Sequence, residues 1–141
     1  MAEPGKVRIQ NRTQPSTPPL LADRCSSFLC RLRGLTFRKD LAPERGLLLV
    51  QRRENRRDAA IHMLWMQMDI AVIWIDSQGV VVDVQPAYRW RSFLTPVKAA
   101  RYVLETRLEY LDRYHIGDEV LFEQVIEDQP DAGAAAAGDS R

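Results

Sequence analysis

Residues of this chain that could do chemistry are few and widely spaced. His62 lies between Ile61 and Met63, and as a general base or metal ligand it needs a carboxylate to orient its ring. Glu105 and Asp69 are the acids that a fold could bring to it. Arg33 and Arg38 flank the turn Gly34-Leu35-Thr36-Phe37, where a guanidinium can hold a carboxylate ligand through two parallel bonds or pair with an internal acid such as Glu105. Met63, Trp65, Met66 and Met68 form a soft apolar group beside His62, suited to an irregular ligand and equally to an irregular core. The candidate site is therefore a binding site built from His62, Met63, Arg38 and Glu105, and no residue is assigned a catalytic role.

Several common mechanisms find no support. Cys25-x-x-x-x-Cys30 with His62 and His115 would make four zinc ligands, but the cysteine spacing is long for such a site and the histidines are far apart. No metal and no cofactor is expected. Two cysteines are too few for a disulfide scaffold, so buried or idle thiols are expected, and the apolar neighbours Phe28, Leu29 and Leu32 argue against a nucleophilic Cys30. There is no glycine-rich phosphate loop and no nucleophile-elbow motif.

Charge is uneven along the 141 residues. Residues 1–60 carry 13 Lys+Arg against 6 Asp+Glu and residues 61–141 carry 7 against 13, so halves of about +7 and −6 sum to the formal +1. A dedicated nucleic-acid domain is usually basic throughout, so the two halves are read as complementing each other within one fold. Arg52, Arg53, Arg56 and Arg57 could contact phosphates but lack interleaved aromatics and read as a solvated loop. Neither nucleic acid nor membrane is expected as a partner. The N-terminus is charged and proline-rich where a signal peptide needs an apolar stretch, and no apolar run reaches the ~20 residues of a membrane helix, so the expected location is the cytoplasm.

The elements that must position the candidate residues are mostly strands. Ile70–Ile75 is apolar on both faces and rich in β-branched residues, hence a covered strand, and Val80–Val84 is its partner across Asp76-Ser77-Gln78-Gly79. Aspartate first and glycine fourth suit a type I turn with Gly79 at positive φ in a bulged hairpin. Val7–Asn11, Leu47–Val50, Arg101–Thr106 and Glu119–Phe122 complete the expected strands. Ser26 or Ser27 caps a short helix through Phe28–Arg33 ended by Gly34, and Leu108–Tyr114 forms a second whose inner face is bracketed by Leu108, Leu111 and Asp112. Gln51–Asp58 reads as an exposed loop and Gln85–Val97 as a long loop burying aromatics.

The series Arg31-Leu32-Arg33-Gly34-Leu35-Thr36-Phe37-Arg38, Gly46-Leu47-Leu48-Leu49, Ile61-His62-Met63, Ile75-Asp76-x-x-Gly79-x-Val81, Tyr102-Val103-Leu104-Glu105 and Gly117-Asp118 resembles the bacterial and archaeal family called domain of unknown function 192. The resemblance spans roughly Val7 to Glu123 and implies a small, mostly β, single-domain protein of sandwich or barrel type with short helices. No established activity comes with it. Where the family has proline, an aliphatic residue and aspartate before the central strand, this chain has Asp69, Ile70 and Ala71, and Leu108-Glu109 replaces the usual Ala-Gly pair.

The resulting expectation is a mainly β domain on the α+β boundary, a compact antiparallel β-sandwich or partly closed barrel with two short helices. It occupies residues 6–126, between a disordered 1–5 and a disordered acidic, Ala/Gly-rich tail at 127–141. The expected function is a small binding module for a ligand or protein partner. The alternatives are a small enzyme using His62 with a carboxylate, or a nucleic-acid accessory protein using the Arg52–Arg57 loop.

Overall fold

The central apolar hairpin forms as its residues dictate. The structure, a computed structural model, describes residues 5–27, 30, 40–56, 59, 67–89 and 94–125. Strand β4 (Ile70–Ile75) is buried at every position and pairs antiparallel with β5 (Val81–Ala87). Asp76 directs the reversal: its carbonyl accepts from Gly79 N–H, its N–H donates to Val80 O, and its Oδ1 accepts from the N–H groups of Gln78 and Val80 at 2.9 Å each. Gly79 takes φ +85°, a left-handed conformation that a side chain would strain, and the register shifts between Trp74 and Ile75 as a bulged turn requires.

Around this hairpin stands one seven-stranded mixed sheet. Its other strands are β1 (Lys6–Asn11), β2 (Leu20–Cys25), β3 (Arg45–Asn55), β6 (Ala100–Arg107) and β7 (Val120–Val125), in the spatial order β5-β4-β6-β3-β2-β1-β7. The chain is thus mostly β, as expected, but the sheet is not purely antiparallel, because β2 and β3 run parallel. The reason is the connection across residues 26–44, which is long enough for a crossover where a hairpin would reverse direction.

Apolar residues cover both faces. One cluster gathers Val7, Ile9, Leu20, Leu48, Ile73, Leu104, Tyr110 and Val120 from strands at both ends of the sheet order, so the sheet curls around an interior. It does not close. Among the described residues its edges touch through the bridge Val80–Glu119, supported by backbone bonds Val81 N to Asp118 O and Val120 N to Gly79 O. A second cluster, with Cys25, Leu47, Leu49, Ile70, Val72, Trp74 and Val103, covers the opposite face of β3, β6, β4 and β5, and Leu41 and Ala59 pack into it.

Several segments differ from the expectation. Leu20–Cys25 is a strand that the sequence reading missed, because Asp23 and Arg24 interrupt its apolar pattern, although Leu20 and Ala22 are buried on one face and Cys25 on the other. Gln51–Asn55 is no loop but the continuation of β3, where a register shift relative to β6 lets Arg52, Arg53 and Glu54 stand in solvent. Gln85–Ala87 belongs to β5, which tolerates Pro86 because β5 is an edge strand. That edge is blunted along its length: Val81 N–H bonds to Asp118 O, Val84 N–H to Asp83 Oδ1, and Pro86 has no N–H. Leu108–Arg113 is helical but of the 3₁₀ type, and it buries Tyr110 where Leu108 and Leu111 were expected inward. For the other helix, Ser27 Oγ accepts from Cys30 N–H at 3.1 Å as a cap should, and the expected continuation lies outside the described residues.

The cysteines are not free thiols. Cys25 and Cys30 form a disulfide with Cα atoms 5.6 Å apart, joining the end of β2 to the chain that follows it. Sequence counting missed the bond because it weighed a scaffold of several bridges, whereas one local pair needs only the strand end and the next helical turn to face each other.

Candidate functional site

Glu105 is the candidate residue that the structure places. It sits in β6 at the middle of the sheet, opposite Leu47 of β3 and Val72 of β4, and is 5% exposed. Val103, two residues before it, belongs to the apolar cluster of the outer face, so the period of two puts the Glu105 carboxylate on that same face. A carboxylate among Leu47, Val72 and Trp74 is costly unless it is engaged, and Glu105 is engaged. Gly46 lets β3 run tight against this point, since a Cβ there would lie 3.0 Å from Glu105 O. His62, Met63 and Arg38 lie outside the described residues, so the expected convergence on Glu105 rests on Glu105 alone.

Other polar candidates turn out to hold the fold. Asp69 Oδ1 accepts from Arg89 N–H at 2.9 Å, fixing the chain after β5 to the entry of β4. Asp83 Oδ2 accepts from Gln85 Nε2 and from Val97 N–H, both at 2.9 Å, and so ties residues 95–97 to the edge strand. Arg56 Nε donates to Pro96 O at 2.8 Å, which commits one member of the arginine group to the backbone. Arg107 reaches Leu41 O at 2.9 Å and lies 3.4 Å from Glu109. Among the described residues no group of three His, Cys, Asp or Glu is arranged to hold a metal.

Gly117-Asp118 reads in the sequence as a turn and a shared motif, and the structure shows what it does. Asp118 is 4% exposed, and its Oδ2 accepts from Asn11 Nδ2 at 2.8 Å, Gln14 Nε2 at 2.9 Å and His115 N–H at 2.9 Å. Asn11 also donates to Arg113 O at 3.1 Å and accepts from the N–H groups of Thr13 and Gln14. The Gln14 amide meets His115 Nδ1, and the His115 ring stays half exposed. Gly117, at φ +97°, donates its N–H to Val81 O. This network ties the end of β1 and the segment before β7 to the start of β5, where the sheet edges meet.

Beside it, Tyr114 is buried and its hydroxyl has no hydrogen-bond partner among the described residues. Burial, and then the neighbouring Tyr110 and Asp118, push its ionisation well above the ordinary value near 10. An unpaired buried hydroxyl adds nothing to stability, so Tyr114→Phe should unfold within about 0.5 kcal/mol of the wild type at neutral pH. Above pH ~10 the unfolded tyrosine loses its proton while the folded one keeps it, so stability falls as pH rises toward the raised folded value. The variant should lose less there. Urea midpoints at neutral and at alkaline pH test both parts, and a large loss at neutral pH would reveal a bond for this hydroxyl.

A small β domain with one interior core, a second apolar face and a buried carboxylate in that face is the class of protein this geometry defines. The chain belongs to the DUF192 family, described as Uncharacterized ACR, COG1430, whose model matches residues 9–122. A UPF0127 protein of Thermococcus kodakarensis is 46% identical over 79 residues, which cover 56% of this chain and 48% of the relative. The chain thus spans about half the length of that relative. Two crystal structures share the fold. A Sinorhizobium meliloti protein, described provisionally as a transcription regulator, has a TM-score of 0.74 at 20% identity and covers 86% of this chain and 94% of its own. A Novosphingobium aromaticivorans protein of unknown function has a TM-score of 0.70 at 17% identity, covering 82% and 83%.

Proposed function

We propose that this chain is a small-ligand binding module whose site lies on the outer apolar face, with Glu105 as its polar anchor and His62, Met63 and Arg38 as the other contacts. The observation that carries the reading is a contrast among the shared motifs. Gly46, Asp76, Gly79, Gly117 and Asp118 each have a turn, a close approach or a sheet junction that demands them. Glu105 differs in kind: it is a buried, engaged acid at a central strand position between Leu47 and Val72, where a β-branched or aromatic residue is the ordinary choice, so it sets a polar group into an apolar face. An apolar wall with one fixed carboxylate suits a ligand that has an apolar body and a hydrogen-bond donor or cationic group. The cytoplasm is the compartment proposed for the module.

A thermal-shift screen against a metabolite collection tests this, run on the wild type and on Glu105→Gln. A ligand at a hundred times its Kd adds about 2.7 kcal/mol to the native state, a rise of several degrees. At least one compound should raise the wild-type midpoint and raise that of Glu105→Gln much less. A compound that shifts both equally would move the site away from Glu105, and a screen with no shift would remove the small-ligand reading.

A further inference from the structure

Cys25 and Cys30 differ in how far a reagent can reach them. Cys25 is fully buried at the end of β2 within the outer-face cluster, whereas Cys30 packs against that cluster and keeps partial exposure. Further along, before β3, Leu41 is buried in the same cluster and its carbonyl accepts from Arg107 Nη1 at 2.9 Å. The stretch between β2 and β3 is therefore held near its start by a covalent bond and near its end by Leu41 and Arg107. In a reducing cytoplasm a lasting structural disulfide is unusual, and the ones found there are mostly transient, catalytic or sensing.

We propose that Cys25–Cys30 is a reversible thiol–disulfide exchange site, opened by a cellular thiol through Cys30. The thiolate attacks Cys30 Sγ, the bond between the two sulfurs breaks, and its electron pair leaves on Cys25 Sγ, which takes a proton. A second thiol then attacks the mixed disulfide at the outer sulfur and releases Cys30. In sum, the protein disulfide is reduced to two thiols while two thiols are oxidised to one small-molecule disulfide. Attack in the other sense is disfavoured because Cys25 is out of reach of solvent. Reduction cuts the covalent hold and leaves the Leu41 end in place. The exchange concerns the sulfurs alone and so stands apart from the ligand reading, but it rests on the cytoplasmic compartment proposed with that reading.

The test uses the full chain purified without reductant, with reduced glutathione and dithiothreitol as probes. Alkylation followed by mass analysis should find no free thiol at the outset and two after dithiothreitol, with the protein still folded by circular dichroism. Limited glutathione should give a mixed disulfide on Cys30 and an alkylatable Cys25. Closing a loop this short restricts the unfolded chain modestly, so reduction should lower the thermal midpoint by roughly 5–8 °C, and reoxidation should restore it. Cys30→Ser should melt near the reduced wild type and ignore added thiol. Free thiols in the protein as purified, or a bond that yields only in denaturant, would overturn the proposal. So would glutathione found on Cys25, or a Cys30→Ser midpoint that falls with thiol as far as the wild type's.

Discussion

Truncating Trp74 to alanine is expected to cost about 3–5 kcal/mol of stability, measured by urea denaturation. The side chain is wholly buried in β4, packed in the outer-face cluster with Val72 and Val103, and its Nε1 donates to Ala59 O at 2.7 Å. Alanine would leave a cavity between the sheet and the chain that covers it, and would also leave the Ala59 carbonyl without its donor. Trp74→Phe separates the two effects, because it fills most of the space and removes only the bond, so it should cost about 1–2 kcal/mol. A loss below about 1 kcal/mol for the alanine variant would mean that this face is far looser than its burial implies.

Asp118→Ala should be nearly as damaging, at about 3 kcal/mol, because one carboxylate oxygen serves Asn11, Gln14 and the His115 backbone. The donors left behind are partly buried, and Asn11 is itself 3% exposed. Asp118→Asn keeps one acceptor and should recover part of the loss. The readout that sets this site apart is local: amide hydrogen exchange at Val81 and Gly117, which bond across the sheet junction, should rise more than exchange at Val103 in the middle of the sheet. Equal protection at all three would show that the network does not hold the edges together.

The parts of the fold that were legible in the sequence are those where local chemistry and long-range packing agree. Ile70–Ile75 announces a buried strand because both faces are apolar, and Asp76 with Gly79 specifies the turn through bonds made within five residues. Leu20–Cys25 was illegible for the opposite reason, since its Asp23 is stabilised by Lys6 at 2.9 Å, a partner no local window contains. The 3₁₀ segment shows a related limit: which of Leu108, Tyr110 and Leu111 turns inward depends on β4 and β5, against which the helix packs. The site was legible as residue types but not as a place. An acid at position 105 is visible in the sequence, while the face it shares with Leu47, Val72 and Trp74 is set by strands from two other stretches, β3 and β4. The disulfide lay in plain view as two cysteines five apart, and only the end of β2 decides that they meet.

Pairing of β1 with β7 brings Lys6 opposite Val125, residues near the two ends of the described chain. During synthesis the first strand emerges early and can lie beside β2, yet its other edge waits until nearly all of the domain has left the ribosome. The Asn11–Asp118 bond waits equally long, so the junction between the sheet edges cannot form on a partial chain. A nascent or C-terminally shortened polypeptide therefore shows an unsealed β1 edge with Ile9 and Val7 exposed beside it. That keeps the window for misassembly open until β7 has joined the sheet, long after the apolar hairpin has been made.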